Sequence, residues 1–463
     1  MTVTMVLPAA ISAQLRDLAL LPIESGGVLL GRAVTTDSGK LRILIHKLCL
    51  VPEHAYAVRE ADGLEITSEG YVPPLRLAAE SGSLAIWMHT HPGRGSSVQP
   101  SRHDRIVDHQ LAELFRIRSG SDLYGALIVS IGESGDGLRF MCHLDDDAGH
   151  VHQVDQLFTV GSQVRLIEAD GSRPSPVAEI FDRNVRAFGG SVQNTLGNLK
   201  LAVVGCGGTG SCVAEQLVRL GVRNLLLIDP ELLSESNLTR VYGSVATDVG
   251  RPKVDVVADH LRAIAPDVSI DSVRGMVTRE SVARRLTDAD VIFGCTDDNA
   301  GRLVLSRLST YMMVPVIDCG VLISSANDGH LLGIDGRMTL MYPGAACLVC
   351  RGRVDLRRAA SEVLTPDERI RRVDEGYAPA LAGNEPAVVA FTSLVAASAV
   401  AELLNLLIGY GPEPAPTEVL LRLRDREIST NIAKPHAKHY CDPTSGKLGM
   451  GMTVPFLEQT WPS

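Results

Sequence analysis

The run Trp87-Met88-His89-Thr90-His91-Pro92 closes an apolar stretch with two imidazoles two residues apart, and Ser101-Arg102-His103-Asp104 comes shortly after. On a strand, residues i and i+2 share a face, so His89 and His91 point to the same side. Asp104, at the expected start of the next helix, is close enough in sequence to become a third ligand. Two imidazoles and a carboxylate leave one position of a tetrahedral metal open, which is the arrangement of a catalytic zinc rather than a structural one. Zinc held in this way makes hydroxide available near neutral pH. Alternatively, the two histidines end a strand at the surface and Ser101 merely caps a helix.

A second constellation is Gly205-Cys206-Gly207-Gly208-Thr209-Gly210, which succeeds the apolar run Leu201–Val204 and opens a helical pattern. Such glycines permit close backbone approach and present amides to phosphate at a helix N-terminus. Alone, the motif would serve a nicotinamide oxidoreductase equally well, with Asp229 or Glu231 bonding a ribose hydroxyl. The next three motifs along the chain add cationic side chains: Ser236-Asn237-Leu238-Thr239-Arg240, Gly250-Arg251-Pro252-Lys253 and Cys295-Thr296-Asp297-Asp298-Asn299-Ala300-Gly301-Arg302. Hydride transfer needs no such set. Attack of a carboxylate on the α-phosphate of ATP does, because negative charge builds on phosphate as pyrophosphate leaves. Taken singly, Arg240 and Lys253 could lie on solvated faces and Asp297 could cap the helix beginning near Asp298.

Cys347-Leu348-Val349-Cys350 has the spacing of half a structural zinc site. Near the C-terminus, His436, His439 and Cys441 offer three side chains, two of which would complete the sphere. The spacing leaves open which two, and the alternative is a pair of buried thiols beside a polar tail.

The first 145 or so residues resemble the JAMM/MPN family of zinc isopeptidases, whose pattern is an upstream Glu, then His-x-His-Pro, then Ser-x-x-Asp. The upstream segment is Glu24-Ser25-Gly26-Gly27-Val28-Leu29-Leu30-Gly31. By that resemblance His89, His91 and Asp104 bind zinc, Glu24 is the general base, and Ser101 holds the oxyanion. From about Phe181 to Asp425 the chain resembles the ThiF/MoeB/ubiquitin-activating adenylyltransferases, beginning with Phe181-Asp182-Arg183-Asn184. This second resemblance implies a Rossmann-like adenylation domain using ATP and Mg2+. In it Gly205, Gly207, Gly208 and Gly210 hold phosphate, and Glu231 is the ribose ligand with Asp229 at the first acidic position. It further implies that Asn237, Arg240 and Lys253 contact ATP, that Asp297 binds magnesium, and that Arg183 reaches the partner subunit's ATP in a homodimer.

The charged segment Arg351–Glu385 is where ubiquitin-activating relatives carry a nucleophilic cysteine, and it contains none. Either the adenylate passes directly to sulfur or another acceptor, as in the MoeB-like branch, or a hydroxyl of Ser361 or Thr365 forms an ester. An alcohol is a poor nucleophile without a strong base, and Thr365-Pro366-Asp367-Glu368 also reads as a helix start. Cys206, Cys212, Cys295 and Cys319 read as small core residues.

The fusion resembles proteins of bacterial ubiquitin-like conjugation operons. It implies adenylation of the C-terminal glycine of a ubiquitin-like protein, together with zinc-dependent hydrolysis that matures or deconjugates it, and a conjugating enzyme as a further partner. A sulfur-carrier activator with a carrier-trimming peptidase is the alternative, and a non-catalytic metal scaffold fused to an adenylyltransferase is a third.

The elements that must position these residues read as α/β throughout. At 463 residues the chain exceeds one ordinary core. Short apolar runs (27–31, 41–51, 84–88, 123–130) alternate with helical patterns in residues 1–150. A polar, then Gly/Ser/Pro-rich stretch over 151–178 is expected to be a linker, and 179–463 to form the adenylation domain with its zinc-binding tail. A net charge of −10 gives no electrostatic reason to meet nucleic acid or anionic lipid. The apolar run 387–408 contains Glu402 and Asn405 and lacks basic flanks, so it is expected to be a buried core helix rather than a membrane span. Nine cysteines, scattered except for Cys347 and Cys350, and the lack of a secretory signal pattern at the N-terminus are expected of a cytoplasmic protein.

Overall fold

The computed structural model describes residues 2–133, 135, 137–169, 176–326, 330–374 and 386–462. They form two units, one from the chain up to residue 169 with Gly449–Gly451, the other from residue 176 onward apart from those three residues.

The first unit runs β1 (Val3–Pro8), α1 (Ala9–Ala19), β2 (Gly26–Thr35), β3 (Leu41–Leu50), β4 (Tyr56–Arg59), β5 (Leu64–Ile66), α2 (Val72–Ser81), β6 (Leu84–Arg94), α3 (Arg102–Ser119), β7 (Tyr124–Ile131), β8 (Leu138–Asp145), β9 (Val151–Gln153), β10 (Gln156–Val160) and β11 (Arg165–Glu168). Nine of these strands make one sheet in the order β11-β10-β1-β3-β2-β6-β7-β8-β9. Both faces are covered. Ile11, Leu15 and Ala19 of α1 pack with Met5, Leu29, Ile86 and Met88 on one side. Leu75 and Ala78 of α2 and Ala112 and Phe115 of α3 pack with Val28, Leu30, Ala85 and Trp87 on the other. Burial on both sides explains why Leu84–Met88 is apolar without alternation.

The structure corrects the expected boundary. Residues 151–168, assigned to the linker from their polarity, supply β9, β10 and β11, and β10 lies parallel to β1 with Met5 opposite Leu157. Polar hairpins between short strands produced the linker-like composition. Residues 170–175 of the expected linker lie outside the described residues.

The second unit runs α4 (Asp182–Phe188), α5 (Gly190–Asn198), β12 (Lys200–Val204), α6 (Gly208–Arg219), β13 (Asn224–Ile228), α7 (Lys253–Ile264), β14 (Ser269–Val273), α8 (Glu280–Arg285), β15 (Val291–Gly294), α9 (Asn299–Tyr311), β16 (Val316–Ser325), β17 (Leu331–Met341), α10 (Leu356–Glu362), α11 (Pro366–Asp374), α12 (Val389–Ile408), β18 (Glu418–Arg422) and β19 (Glu427–Asn431). The sheet order is β14-β13-β12-β15-β16-β17-β18-β19. The first five strands pair in parallel and the rest antiparallel. Strand order reverses between β12 and β15, and a crevice opens at the carboxyl ends of strands at such a switch point.

Among the described residues α12 is the one helix long and apolar enough to cross a membrane. Its buried side, including Val395, Ala396, Ala399 and Leu403, packs against α6 and the sheet. It is less enclosed than a core helix, since Leu394 and Ile408 on its other side are exposed.

Candidate functional site

The metal constellation of the first unit is assembled by the sheet. Antiparallel pairing sets Gly26 of β2 opposite His89 of β6, so Glu24, just before β2, comes beside the end of β6 that carries His91. The Glu24 backbone is pinned there, its N–H donating to Glu60 O at 2.7 Å and its carbonyl accepting from Arg59 Nε at 3.0 Å. Ser101 and Asp104 cap α3 reciprocally: Asp104 N–H donates to Ser101 Oγ at 3.1 Å and Ser101 N–H to Asp104 Oδ2 at 2.6 Å. Capping therefore does not preclude ligation, because the capping box fixes where the Asp104 carboxylate sits.

His89 Nε2 and His91 Nε2 are 3.2 Å apart, and each lies 3.5 Å from an oxygen of Asp104. A tetrahedron with bonds of about 2.05 Å has edges of about 3.3 Å, so the donor set fits zinc. His91 Nδ1 donates to the Ser97 carbonyl at 2.6 Å, leaving its Nε2 lone pair for the metal. Burial lowers His89 to about 4, against the pull of Asp104, so its ring is neutral and able to ligate. Burial pushes Glu24 up to about 7, helped by Asp104 and opposed by His91. These residues line a cavity of about 540 Å³ whose floor adds Trp87, Ile128 and Met141.

The cavity also holds a pair that sequence reasoning missed. His143 Nε2 of β8 lies 3.0 Å from Asp108 Oδ2, and Tyr124 donates to Asp108 Oδ1 at 2.6 Å. Asp108 sits one turn after Asp104 on the same helix face, a signal that was readable; His143 had none.

In the second unit the glycine loop sits at the switch point. Gly205 has φ +94°, and a Cβ there would lie 2.6 Å from the Cys295 carbonyl oxygen. A Cβ on Gly210 would lie 1.7 Å from the Gly205 carbonyl oxygen. Both positions therefore require glycine. A side chain at Gly208 would meet Arg240 Cβ at 3.2 Å, whereas Gly207 has open space.

The two acids after β13 divide their work. Asp229 is buried and holds the loops, accepting from Cys206 N–H at 2.7 Å and Glu231 N–H at 2.8 Å. Burial raises its carboxyl while those amides favour its charge. Glu231 keeps 65% of its side chain exposed and is ion-paired with the buried Lys253 ammonium. Asn237 is buried and accepts from Ser234 N–H at 3.1 Å, and Arg240 donates to the Ser236 carbonyl at 2.8 Å. Asp297 is exposed after β15. It does not cap α9; Asp298 does, accepting from Gly301 N–H. Arg183 is exposed on α4.

Cys347, Cys350, His439 and Cys441 converge. His439 Nδ1 lies 3.6 Å from Cys347 Sγ and 3.3 Å from both Cys350 Sγ and Cys441 Sγ. Between the thiols, Cys350 Sγ and Cys441 Sγ are 3.6 Å apart. Edges of this length suit a closed tetrahedral zinc with sulfur bonds of about 2.3 Å. A hydrogen bond from Cys441 draws Cys347 down to about 5, into the thiolate form a metal binds. His436 is corrected out of the set: its ring is exposed and only its backbone N–H reaches Cys350 Sγ, at 3.3 Å.

Ser361 is buried at the end of α10 with no hydrogen-bond partner for its hydroxyl among the described residues. Thr365 donates to Glu368 at 2.8 Å in a helix-start arrangement. Residues 375–385 of the charged segment lie outside the described residues.

The ThiF family profile matches residues 181–442, more than half of the chain. The chain belongs to the ThiF family. It is 26% identical over 239 residues to the molybdopterin-synthase adenylyltransferase of Escherichia coli, covering 51% of this chain and 84% of that enzyme. To the SAMP-activating enzyme E1 of Haloferax volcanii it is 27% identical over 158 residues, covering 34% of this chain and 55% of that one. To the ATP-dependent ubiquitin transferase-like protein Cap2 of Enterobacter hormaechei it is 36% identical over 124 residues, covering 26% of this chain and 20% of that one. The chain thus spans about half the length of the haloarchaeal relative and a fifth of Cap2. The ThiF match begins beyond the first unit.

Proposed function

We propose that the ThiF unit activates the C-terminal carboxylate of a ubiquitin-like or sulfur-carrier protein as an acyl-adenylate, and that the first unit is a JAMM-type zinc peptidase acting on the same tail. The observation that carries the reading is the glycine loop at the switch point, tied down by Asp229, with Arg240 against Gly208, the Cys295–Thr296 segment just before Asp297 against Gly205, and Lys253 paired with Glu231 nearby. A carboxylate oxygen of the tail attacks the α-phosphorus, the bond to the β-phosphate oxygen breaks, and pyrophosphate leaves. Backbone amides of α6 hold phosphate, Glu231 bonds the ribose, and Lys253, Arg240 and Asn237 oppose the developing charge. Asp297 would hold magnesium, which would supply neutralisation of phosphate charge.

In the first unit His89, His91 and Asp104 would hold zinc, which supplies Lewis acidity near neutral pH. Glu24 takes a proton from water at its carboxylate, and the Ser101 hydroxyl, whose oxygen already accepts from Asp104 N–H, donates to the oxyanion. The second reading, a sulfur-carrier activator with a trimming peptidase, is favoured by the absence of cysteine from 351–385. A homodimer completed by Arg183, a conjugating enzyme as partner, and a cytoplasmic setting belong to the same proposal.

Pyrophosphate exchange into ATP, dependent on a tail-bearing client and abolished in Asp297→Ala, tests the adenylation. If exchange never appears while nicotinamide binds, the reading fails. Cleavage of a client fusion by the wild type but not by Glu24→Gln tests the peptidase. Metal binding without any cleavage would instead mark a scaffold.

A further inference from the structure

Beside the antiparallel half of the second sheet, four arginines from β17, α9 and the segment before α10 gather around Asp318 and Glu418. A side chain on Gly294 would meet both Leu305 of α9 and Asp318 Oδ1, which places Asp318 of β16 on the face that α9 covers. One on Gly336 would meet Val395 of α12, so the neighbouring Arg337 points to the α9 face as well. Arg337 donates to Asp318 Oδ2 at 2.8 Å, and Arg302, from the first turn of α9, has its Nε 3.4 Å from Oδ1. One strand further, buried Glu418 accepts from Arg353 at 3.1 and 2.9 Å, with Arg351 at 3.7 Å.

Four guanidinium groups thus meet two carboxylates, and among the described residues no third acid pairs with them. The Nε atoms of Arg337 and Arg351 are buried without hydrogen-bond partners; Arg351, 3% exposed, otherwise donates to Asn431 Oδ1 at 2.8 Å and to Thr417 Oγ1, both neutral. Excess buried charge is costly unless an anion completes it. The opening for one is at Gly320, which is partly exposed: a Cβ there would lie 3.3 Å from one Arg337 nitrogen and 3.7 Å from one of Arg302. Asp318 pairs in register with Gly294, the last residue of β15, so Gly320 lies alongside the segment that carries Asp297. The same segment touches the glycine loop, through Cys295 O against Gly205.

We propose that Arg302 and Arg337, gathered over Gly320, receive the terminal carboxylate of the polypeptide before it attacks ATP. A planar guanidinium fork matches a carboxylate in two hydrogen bonds, which an ammonium does not. Arg351 and Arg353 behind them leave the net positive charge in place, and Arg351 is anchored by its position directly after the metal-cluster residue Cys350. The inference rests on the adenylation reading, and it adds the group that selects a free C-terminus.

The test compares two labelled peptides ending in Gly-Gly, one a carboxylate and one a carboxamide, by fluorescence anisotropy without nucleotide. The wild type is expected to prefer the carboxylate by about tenfold or more, the range of one charge-assisted pair. In Arg337→Gln the preference should fall below about twofold, with the affinity for Mg-ATP unchanged. Arg337→Gln combined with Asp318→Asn removes the pair together and should show the same loss if the single variant does not fold. The proposal is overturned if the wild type binds the two peptides equally or binds neither, if the preference survives in a folded variant, or if ATP binding weakens in its place. Pyrophosphate exchange by the wild type reports separately on the adenylation reading, so failure of one is distinguishable from failure of the other.

Discussion

Glu24 and His89 meet in one cavity with opposite requirements, since one must take a proton and the other must stay free to ligate. Glu24→Gln should keep the metal and slow hydrolysis by about 10²–10⁴-fold. His89→Ala should lose one metal ion per chain, read by elemental analysis beside the cleavage assay. The carboxyl of Glu24 stands at about 7, above its ordinary 4.5, in the metal-free protein. Between those values the folded state binds more protons than the unfolded, so the contribution is present below pH 4.5 and lost as pH rises through 7. The melting temperature of Glu24→Gln relative to wild type, in chelator, should therefore climb between about pH 5 and pH 8, and a flat difference would refute it. Lys253→Ala should cut pyrophosphate exchange by about 10²–10³-fold with little loss of fold, because its partner Glu231 stays solvated. Glycine loop, paired imidazoles and Cys-x-x-Cys were all legible, since each is a local pattern. Arg337 and Asp318 were not, because only the β16–β17 pairing brings them together.

The helix that opens at Gly208 depends on contacts no other residue can make. Gly210→Ala drives a methyl into the Gly205 carbonyl and should cost about 3 kcal/mol or more in chemical denaturation. Gly207→Ala, with open space around it and an ordinary φ of −75°, should leave stability unchanged. Equal losses from both would contradict the loop geometry. At this scale the parallel strands and α6 could be read from apolar runs separated by glycine, whereas the extent of β6 through His91 to Arg94 could not. Its pairing with β2 stops at His89, and it is pairing with β7, resuming at Arg94 opposite Ile131 after an irregularity, that carries the strand past Pro92.

At the scale of the whole molecule, two side-chain groups among the described residues could hold a metal ion, one in each unit. The native protein should bind two zinc ions per chain, and Cys347→Ser should bind one while retaining the cleavage activity of the first unit. The C-terminal set is closed by four side chains, so its metal should contribute to folding, and chelation should lower the melting temperature of the second unit. A chain that loses both metals on Cys347→Ser would argue against independent sites.

Order and spacing along the chain were enough to point to the ThiF family and to name two groups of candidate metal ligands, because glycine turns, strand-end imidazoles and paired thiols act over a few residues whose geometry the backbone imposes. They could not decide where the first unit ends, since β10 joins its sheet by lying beside β1, a strand from the far end of the unit. Nor could they decide between His436 and His439, because the fold turns one ring toward the thiols and leaves the other in solvent. The division of Asp229 from Glu231 and the gathering of arginines over Gly320 likewise depend on burial and strand pairing, which exist only once distant segments have packed.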